Sequence, residues 1–483
     1  MPRPVCVWFR DDLRLADNPA LAAANASGAS VVAFYVLDEE SDGIRRLGGA
    51  SKWWLHHALA SLRDDLQAAG ADLLLFRGPA RMVLERLRTA LEPAAVFWNR
   101  RYDAAGVAVD SEVKADLKSA GVRAESFNAA LLYEPWTVKT AAGQPMKVFT
   151  PFWKAARATG APPSPLPAPR ALPGLEVNRR SLGALALDDL RLLPTRPDWA
   201  GGLRATWTPS ESGARERLRS FLNEGLRGYG AGRDRPDQDH TSRLSPYLRF
   251  GQVSPRQVWH AAEHAAAEGQ APGDDLAKFQ AELGWREFSY HLLFHHPDLA
   301  RRNFQPKFDA FPWRSDSAQA RAWSRGLTGY PIVDAGLRQL WATGWMHNRV
   351  RMITASFLIK HLLLDWRIGE DWFWDTLVDA DPASNAASWQ WVAGSGADAA
   401  PYFRIFNPIL QGERFDPEGA YVRRFVPELA RVPAAFVHKP WAARADVLAQ
   451  AGVTLGETYP APIVDHEGAR SRALEALREI TPT

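Results

Sequence analysis

Over the first 130 residues, short apolar runs alternate with stretches of helical periodicity. The runs at 5–9, 31–37, 73–76, 95–98 and 122–127 predict buried strands. Between them, 18–26, 50–69, 80–91 and 106–120 predict helices. This alternation predicts an α/β domain: a doubly wound parallel sheet with helices on both faces. The turn after the first run reads Arg10-Asp11-Asp12-Leu13-Arg14. It holds no G-x-G-x-x-G, so the usual dinucleotide cradle is missing there.

The pattern breaks over 134–206. Pro162, Pro163, Pro165, Pro167 and Pro169 crowd together, and Pro173, Pro194 and Pro197 follow. Proline removes backbone donors and blocks helix and central strand alike. The segment reads as a linker lying on the surface of one or both domains. From 207 onward the period is helical, clearest at 211–225, 255–268, 276–295, 317–327, 336–344, 348–364 and 372–378. No strand and no internal repeat is evident. The expected division is an α/β domain at 1–133, a Pro-rich linker at 134–206 and an all-α domain at 207–483.

Composition adds limits. A chain of 483 residues suits two domains, and 46% hydrophobic with 23% charged residues is ordinary for a globular protein. No apolar run approaches the roughly 18 residues that span a bilayer. The opening apolar stretch is too short for a signal peptide, so a cytoplasmic location is expected. Cys6 is the only cysteine, which excludes an internal disulfide and any multi-thiolate cluster. The adjacent pairs His56-His57 and His295-His296 do not have metal-ligand spacing on one helix face. With a net charge of only +3, nucleic acid would need a local positive surface. Thirteen of the 20 tryptophans lie after residue 206. They suit either a large aromatic core or a domain that stacks aromatic ligands and carries electrons.

The stretch Thr241-Ser242-Arg243-Leu244-Ser245-Pro246 gathers hydroxyls and an arginine ahead of a helix start. Ser245 is the expected N-cap, with Pro246 at the first helical position. Hydroxyls, backbone N–H groups and a positive helix end suit a pyrophosphate. Further ordered segments are 7–14, Tyr102-Asp103, Tyr229, Glu282-Leu283-Gly284-Trp285-Arg286-Glu287-Phe288, 345–352, 379–391 and 402–408. Together they resemble the photolyase/cryptochrome family over nearly the whole chain.

The resemblance implies a folded-over FAD in the helical domain, active as FADH⁻. Tyr229, Thr241, Ser242, Arg243, Leu244 and Ser245 would hold its phosphate and ribityl side. Arg286, Arg351, Asp379, Asp381 and Asn385 would surround the rest. Asp379 beside Arg351 suits a buried pair. Asn385 corresponds to the position facing the flavin's reducible nitrogen, and an amide can both donate and accept. The implied activity is light-driven electron transfer from the flavin to a flipped-out cyclobutane pyrimidine dimer, in a carbon–carbon lyase acting on UV-damaged DNA. Glu282 would stabilise charge on the dimer, although its spacing also suits an i,i+4 pair with Arg286. Trp285 and Trp391 would stack on the dimer, Asn348 would bond a base edge, and Met352 would pack against it. Arg233, Arg349, Arg404 and Gln411 match positions that grip DNA. Trp389, Trp366 and Trp313 match an electron-hopping chain, with Trp372 and Trp374 leaving a second branch open.

The segment 47–56 resembles plant cryptochromes and a bacterial photolyase class close to them. That implies a methenyltetrahydrofolate antenna, with a deazaflavin or an empty site as alternatives. The familiar Asn-Glu pair after Tyr102-Asp103 is replaced by Ala105-Gly106. Glu39 and Glu40 have the chemistry to meet a pterin's donors, or else to be solvated loop acids. The expected protein is a monomer with no obligate protein partner. Its rival readings are a blue-light photoreceptor and a light-independent oxidoreductase. The receptor reading would favour a long disordered tail, and only about 60 residues follow the last strong motif here. The oxidoreductase reading lacks a nicotinamide fingerprint.

Overall fold

The computed structural model describes residues 3–398 and 403–481. Strands β1 (Val5–Phe9), β2 (Val31–Leu37), β3 (Leu73–Arg77), β4 (Ala95–Asn99) and β5 (Arg123–Phe127) form one parallel sheet in the order β3-β2-β1-β4-β5. Helices α1 (Pro19–Ala26), α2 (Gly49–Ala68), α3 (Ala80–Leu91) and α4 (Ala104–Ser119) make the crossovers. Alternate strand residues divide between two cores, as the two-residue period requires. Val5, Val7 and Phe9 face α1 and α2, and Cys6 and Trp8 face α3 and α4. The sheet order reverses between β1 and β4, where such folds usually bind ligands. Here that crevice is filled by its own side chains. Asn99 donates to Asp12 (2.6 Å) and Asn18 (2.8 Å), and Arg10 pairs with Asp110 (2.8 Å).

The proline-rich segment is more structured than its composition predicts. Residues 166–185 dock on the α/β unit, where Val31 N–H donates to Pro173 O (2.7 Å) and Leu185 N–H to Leu75 O (2.8 Å). Within it, α5 (Phe149–Ala158) and the short α6 (Gly201–Thr206) are helical. The helix α5 buries Phe149, Phe152 and Ala156 along one stripe. That 3–4 spacing was present in the sequence but hidden among loop residues.

The remainder is helical. First come α7 (Glu211–Ser220), α8 (Tyr229–Gly232), α9 (Ser245–Arg249), α10 (Pro255–Ala267) and α11 (Gly273–His295). Then follow α12 (Ser317–Ser324), α13 (Pro331–Thr343), α14 (Asn348–Ser356), α15 (Trp366–Thr376) and α16 (Ser384–Ala393). The last four are α17 (Pro408–Phe415), α18 (Ala420–Phe425), α19 (Ala445–Ala451) and α20 (His466–Glu479). Single π-turns extend α7 over Phe221–Gly225 and α14 over Phe357–His361. Periodicity located α7 and α10 to α15, but missed α17 to α20 and also α16, whose polar positions face inward. Its Asn385 and Gln390 are both buried.

One hydrophobic cluster crosses from the sheet into the helical part. Trp54 on α2 meets Trp207, Tyr247 and Phe250, and its N–H donates to Gln252 (2.9 Å). Gly48 permits close approach, because a Cβ there would overlap the Trp374 carbonyl on α15. Arg14, 1% exposed, donates to the carbonyls of Ala16, Asp17, Ala129 and Gly251. It thereby ties the β1 turn to α9's end. Arg14→Met strands those carbonyls and is expected to lower unfolding free energy by about 3 kcal/mol. A lower urea midpoint checks this, and an unchanged midpoint contradicts it.

Candidate active site

A cavity of about 570 Å³ lies within the helical part, walled by α8, α9, α11, α14 and α16. That is within the usual range for a small-molecule or cofactor site. Its floor begins with Tyr229 and the loop 241–245, all lining it. Arg217 on α7 shapes this loop by donating to Ser242 O (2.9 Å) and Thr241 O (3.0 Å). Arg243 takes a left-handed backbone (φ 49°), a strained choice for a side chain of that size. It pairs with Asp239 (3.2 Å), its guanidinium lies over Trp345, and burial lowers its pKa. The expected N-cap is corrected here. Leu244 occupies the cap position, Ser245 is the first helical residue, and no side chain caps α9. The reason is local: Leu244 is already αR (φ −84°, ψ −7°), so the helical turn starts one residue early. The Ser245 hydroxyl is left exposed beside the cavity.

The acids behave differently from one another. Asp379 Oδ2 accepts from Arg351 (2.8 Å), whose Nε also holds Met346 O (2.8 Å). Asp379 Oδ1 is buried with no partner among the described residues. Asp381 is fully engaged: Tyr290 donates to Oδ2 (2.7 Å), while Ala383 and Ser384 N–H donate to Oδ1 (2.9 and 2.7 Å). It therefore anchors the start of α16. Asn385, on that helix, donates through Nδ2 to Glu370 Oε1 (2.8 Å) and Glu370 O (3.1 Å). Glu370 is gripped in turn by Arg45 (2.7 Å), which reaches over from the α/β part.

At the cavity mouth the Glu282–Arg286 alternative does not occur. Glu282 pairs with Arg233, while Arg286 donates to Ala130 O (2.7 Å), nears Glu287 (3.5 Å) and covers Tyr290. The α11 turn points the two side chains to different neighbours. Arg233 also nears Asp234 (3.7 Å), which holds Arg349 (2.6 Å). Asn348 and Met352 lie one turn apart on α14, and Trp285 stacks on Phe149 of α5 at 3.8 Å. Trp391 completes the same lining. Arg404 and Gln411 lie outside the lining. Lys360 Nζ donates to Arg404 O, while Gln411 sits one turn before Phe415, over which Arg349 lies. Tyr402, part of the 402–408 motif, falls outside the described residues.

Trp389 is buried, lines the cavity, and packs on Gly369, where a Cβ would overlap its ring. Trp366, fully buried, is one turn earlier on α15 and donates to Asn303 (2.9 Å). Half-buried Trp313 packs against the same cluster. Also on α15, Trp372 stacks on exposed Trp341 at 5.9 Å, and Trp374 donates to Arg46 O (2.8 Å). Sequence reasoning missed Arg45, Glu370, Asp234 and Phe149. Only Phe149 carried a local signal, its place on a helical stripe.

FAD suits this donor set. Among the described residues Asp379 Oδ1 and the buried Arg243 Nε have no partner, and the 241–245 loop adds hydroxyls to an aromatic-walled cavity. The comparisons agree. Residues 5–170 match the profile of DNA photolyase, and 279–479 that of the FAD binding domain of DNA photolyase. This chain belongs to the DNA photolyase family, and FAD is its cofactor. It is 52% identical to the deoxyribodipyrimidine photo-lyase of Agrobacterium fabrum, over 99% of this chain and 98% of that one. It is 39% identical to Arabidopsis thaliana cryptochrome-1, over 98% of this chain and 70% of that one. The crystal structure of a bacterial class III photolyase from Agrobacterium tumefaciens superposes with a TM-score of 0.95, at 52% identity, covering 99% of this chain and 98% of that one.

Trp389→Phe is expected to slow photoreduction of the bound flavin strongly, while FAD content and repair by chemically reduced protein persist. Transient absorption checks this. A wild-type rate contradicts a route through Trp389.

Proposed function

We propose that this protein uses light to split cyclobutane pyrimidine dimers in DNA. The observation that carries the reading is that Glu282, Trp285, Asn348, Met352 and Trp391 line the same cavity as the flavin cradle. Reduced FAD, when bound, supplies the photoexcited electron. The chain supplies the rest. Trp285 and Trp391 offer aromatic faces for an extruded dimer. Asn348, exposed at the start of α14, offers an amide to a base edge. Glu282, paired with Arg233 at the mouth, would act as a hydrogen-bonding carboxyl on the pyrimidine carbonyls, where negative charge develops. Arg233, Arg349, Arg404 and Gln411 hold the phosphodiester backbone, in contacts that weaken with salt. Trp389, Trp366 and Trp313 carry electrons inward to reset the flavin.

In this reading residues 207–483 do the chemistry and 1–133 hold a methenyltetrahydrofolate antenna. Glu39 is not a solvated acid: Lys52 (2.9 Å) and Leu47 N–H (3.3 Å) hold it, which shapes the 39–47 loop, while Glu40 remains exposed. The same reading takes the protein as a monomer without an obligate partner, working in the cytoplasm. Among the described residues no helix is long and apolar enough to cross a membrane.

The test is illumination of reduced holoprotein with DNA carrying one dimer. Restored pyrimidines in blue light, and none in the dark, are expected. Glu282→Ala is expected to lower repair per absorbed photon by about tenfold, the scale of one lost charge-assisted hydrogen bond, with a smaller loss of dimer affinity. A flavin photocycle with no repair would mean a receptor, and an unchanged yield in the Glu282 variant would remove that residue's role.

A further inference from the structure

The geometry points to Glu370, clamped by Arg45, as a positioning residue that locks the amide of Asn385 with its oxygen toward the cavity. The proposal rests on the reading that Asn385 faces the flavin's reducible nitrogen, and goes beyond it by fixing which end of the amide is presented.

An amide end is identified by its partners. Both bonds from Asn385 leave through Nδ2, one to the Glu370 carboxylate and one to the Glu370 main-chain oxygen. Flipping the amide would set Oδ1 against those two acceptors and lose both bonds. The side chain is 8% exposed and lines the cavity, and among the described residues Oδ1 accepts no bond. The cavity therefore meets an acceptor.

Glu370 is fixed as firmly. It is 1% exposed, and Arg45 grips both of its oxygens at 2.7 Å in a bidentate pair. Arg45 also binds Asp371 (2.7 Å) and lies over Trp374 at 4.1 Å. The lock on the flavin site thus originates in the loop between β2 and α2, across the domain seam. A flavin ring nitrogen carries hydrogen when reduced and a bare lone pair when oxidised. An acceptor held against it favours the hydrogen-bearing, reduced forms. A freely flipping amide would serve both equally. The α/β part then sets a redox property of a site it does not line.

The test is the reduction equilibrium of the bound flavin, read by absorbance at a fixed solution potential in purified holoproteins. Asn385→Ala sets the full size of the effect. Glu370→Ala is expected to shift the flavin toward the oxidised form by about fivefold, the scale of one hydrogen bond. Glu370→Gln keeps an acceptor oxygen for Asn385 and is expected to stay within about twofold of wild type. Arg45→Met is expected to shift in the same direction as Glu370→Ala, and decides the matter if that variant yields no holoprotein. A wild-type equilibrium in Glu370→Ala or Arg45→Met, with Asn385→Ala shifted, overturns the lock and leaves the reading of Asn385 intact. A wild-type equilibrium in Asn385→Ala removes that reading, and the lock with it.

Discussion

A buried acceptor with no donor costs more than a hydrogen bond gains, and Asp379 Oδ1 stands in that condition at the cavity wall. Its sister oxygen is satisfied by Arg351, which is itself braced on Met346 O. The geometry is held while one valence stays open toward the cavity. Arg243 repeats the arrangement, with one end paired to Asp239 and its Nε open. The helices around the cavity turn polar atoms inward, and in the proposed reading FAD supplies the partners that these lack. Asp381 shows the contrast. Its bonds are spent inside the protein, on Tyr290 and the first N–H groups of α16, so it builds the wall that carries Asn385, Trp389 and Trp391.

The two halves of the molecule are not independent lobes. Trp54, Arg14 and Gly48 each join the sheet domain to the helical one by a different means: aromatic packing, buried hydrogen bonds and backbone contact. The Arg45–Glu370 pair extends the seam to the cavity itself. At the mouth, Arg233 and Arg349 are already engaged by Glu282 and Asp234. In the proposed reading DNA phosphates compete with these carboxylates for the two arginines.

The sheet was legible because β1, β2 and β4 are unbroken buried runs, and β1 and β2 have the bounds that the pattern predicts, whereas the edge strand β5 is only partly buried. Long helices, such as α11, were equally clear. Two kinds of element were not. The helix α5 lies among prolines, and its stripe of Phe149, Phe152 and Ala156 is too short to stand out. The helix α16 buries Asn385 and Gln390, which reads as loss of amphipathicity. The cavity-lining residues were legible through ordered motifs, whereas Arg45 and Glu370 were not. They lie 325 residues apart, and only the folded chain brings them together. The cap at Ser245 failed for a smaller reason, since composition favours serine there but the backbone of Leu244 is already helical.

If the open valences at Asp379 and Arg243 are completed by FAD, folding stability and flavin binding are one linked equilibrium. The direct measurement is the unfolding midpoint of flavin-stripped protein across a titration of FAD. The account predicts a continuous rise, worth about 2.7 kcal/mol at a hundredfold excess over the dissociation constant, and loss of most of that rise in Asp379→Ala. A midpoint indifferent to FAD, or an undiminished rise in the Asp379 variant, would contradict it.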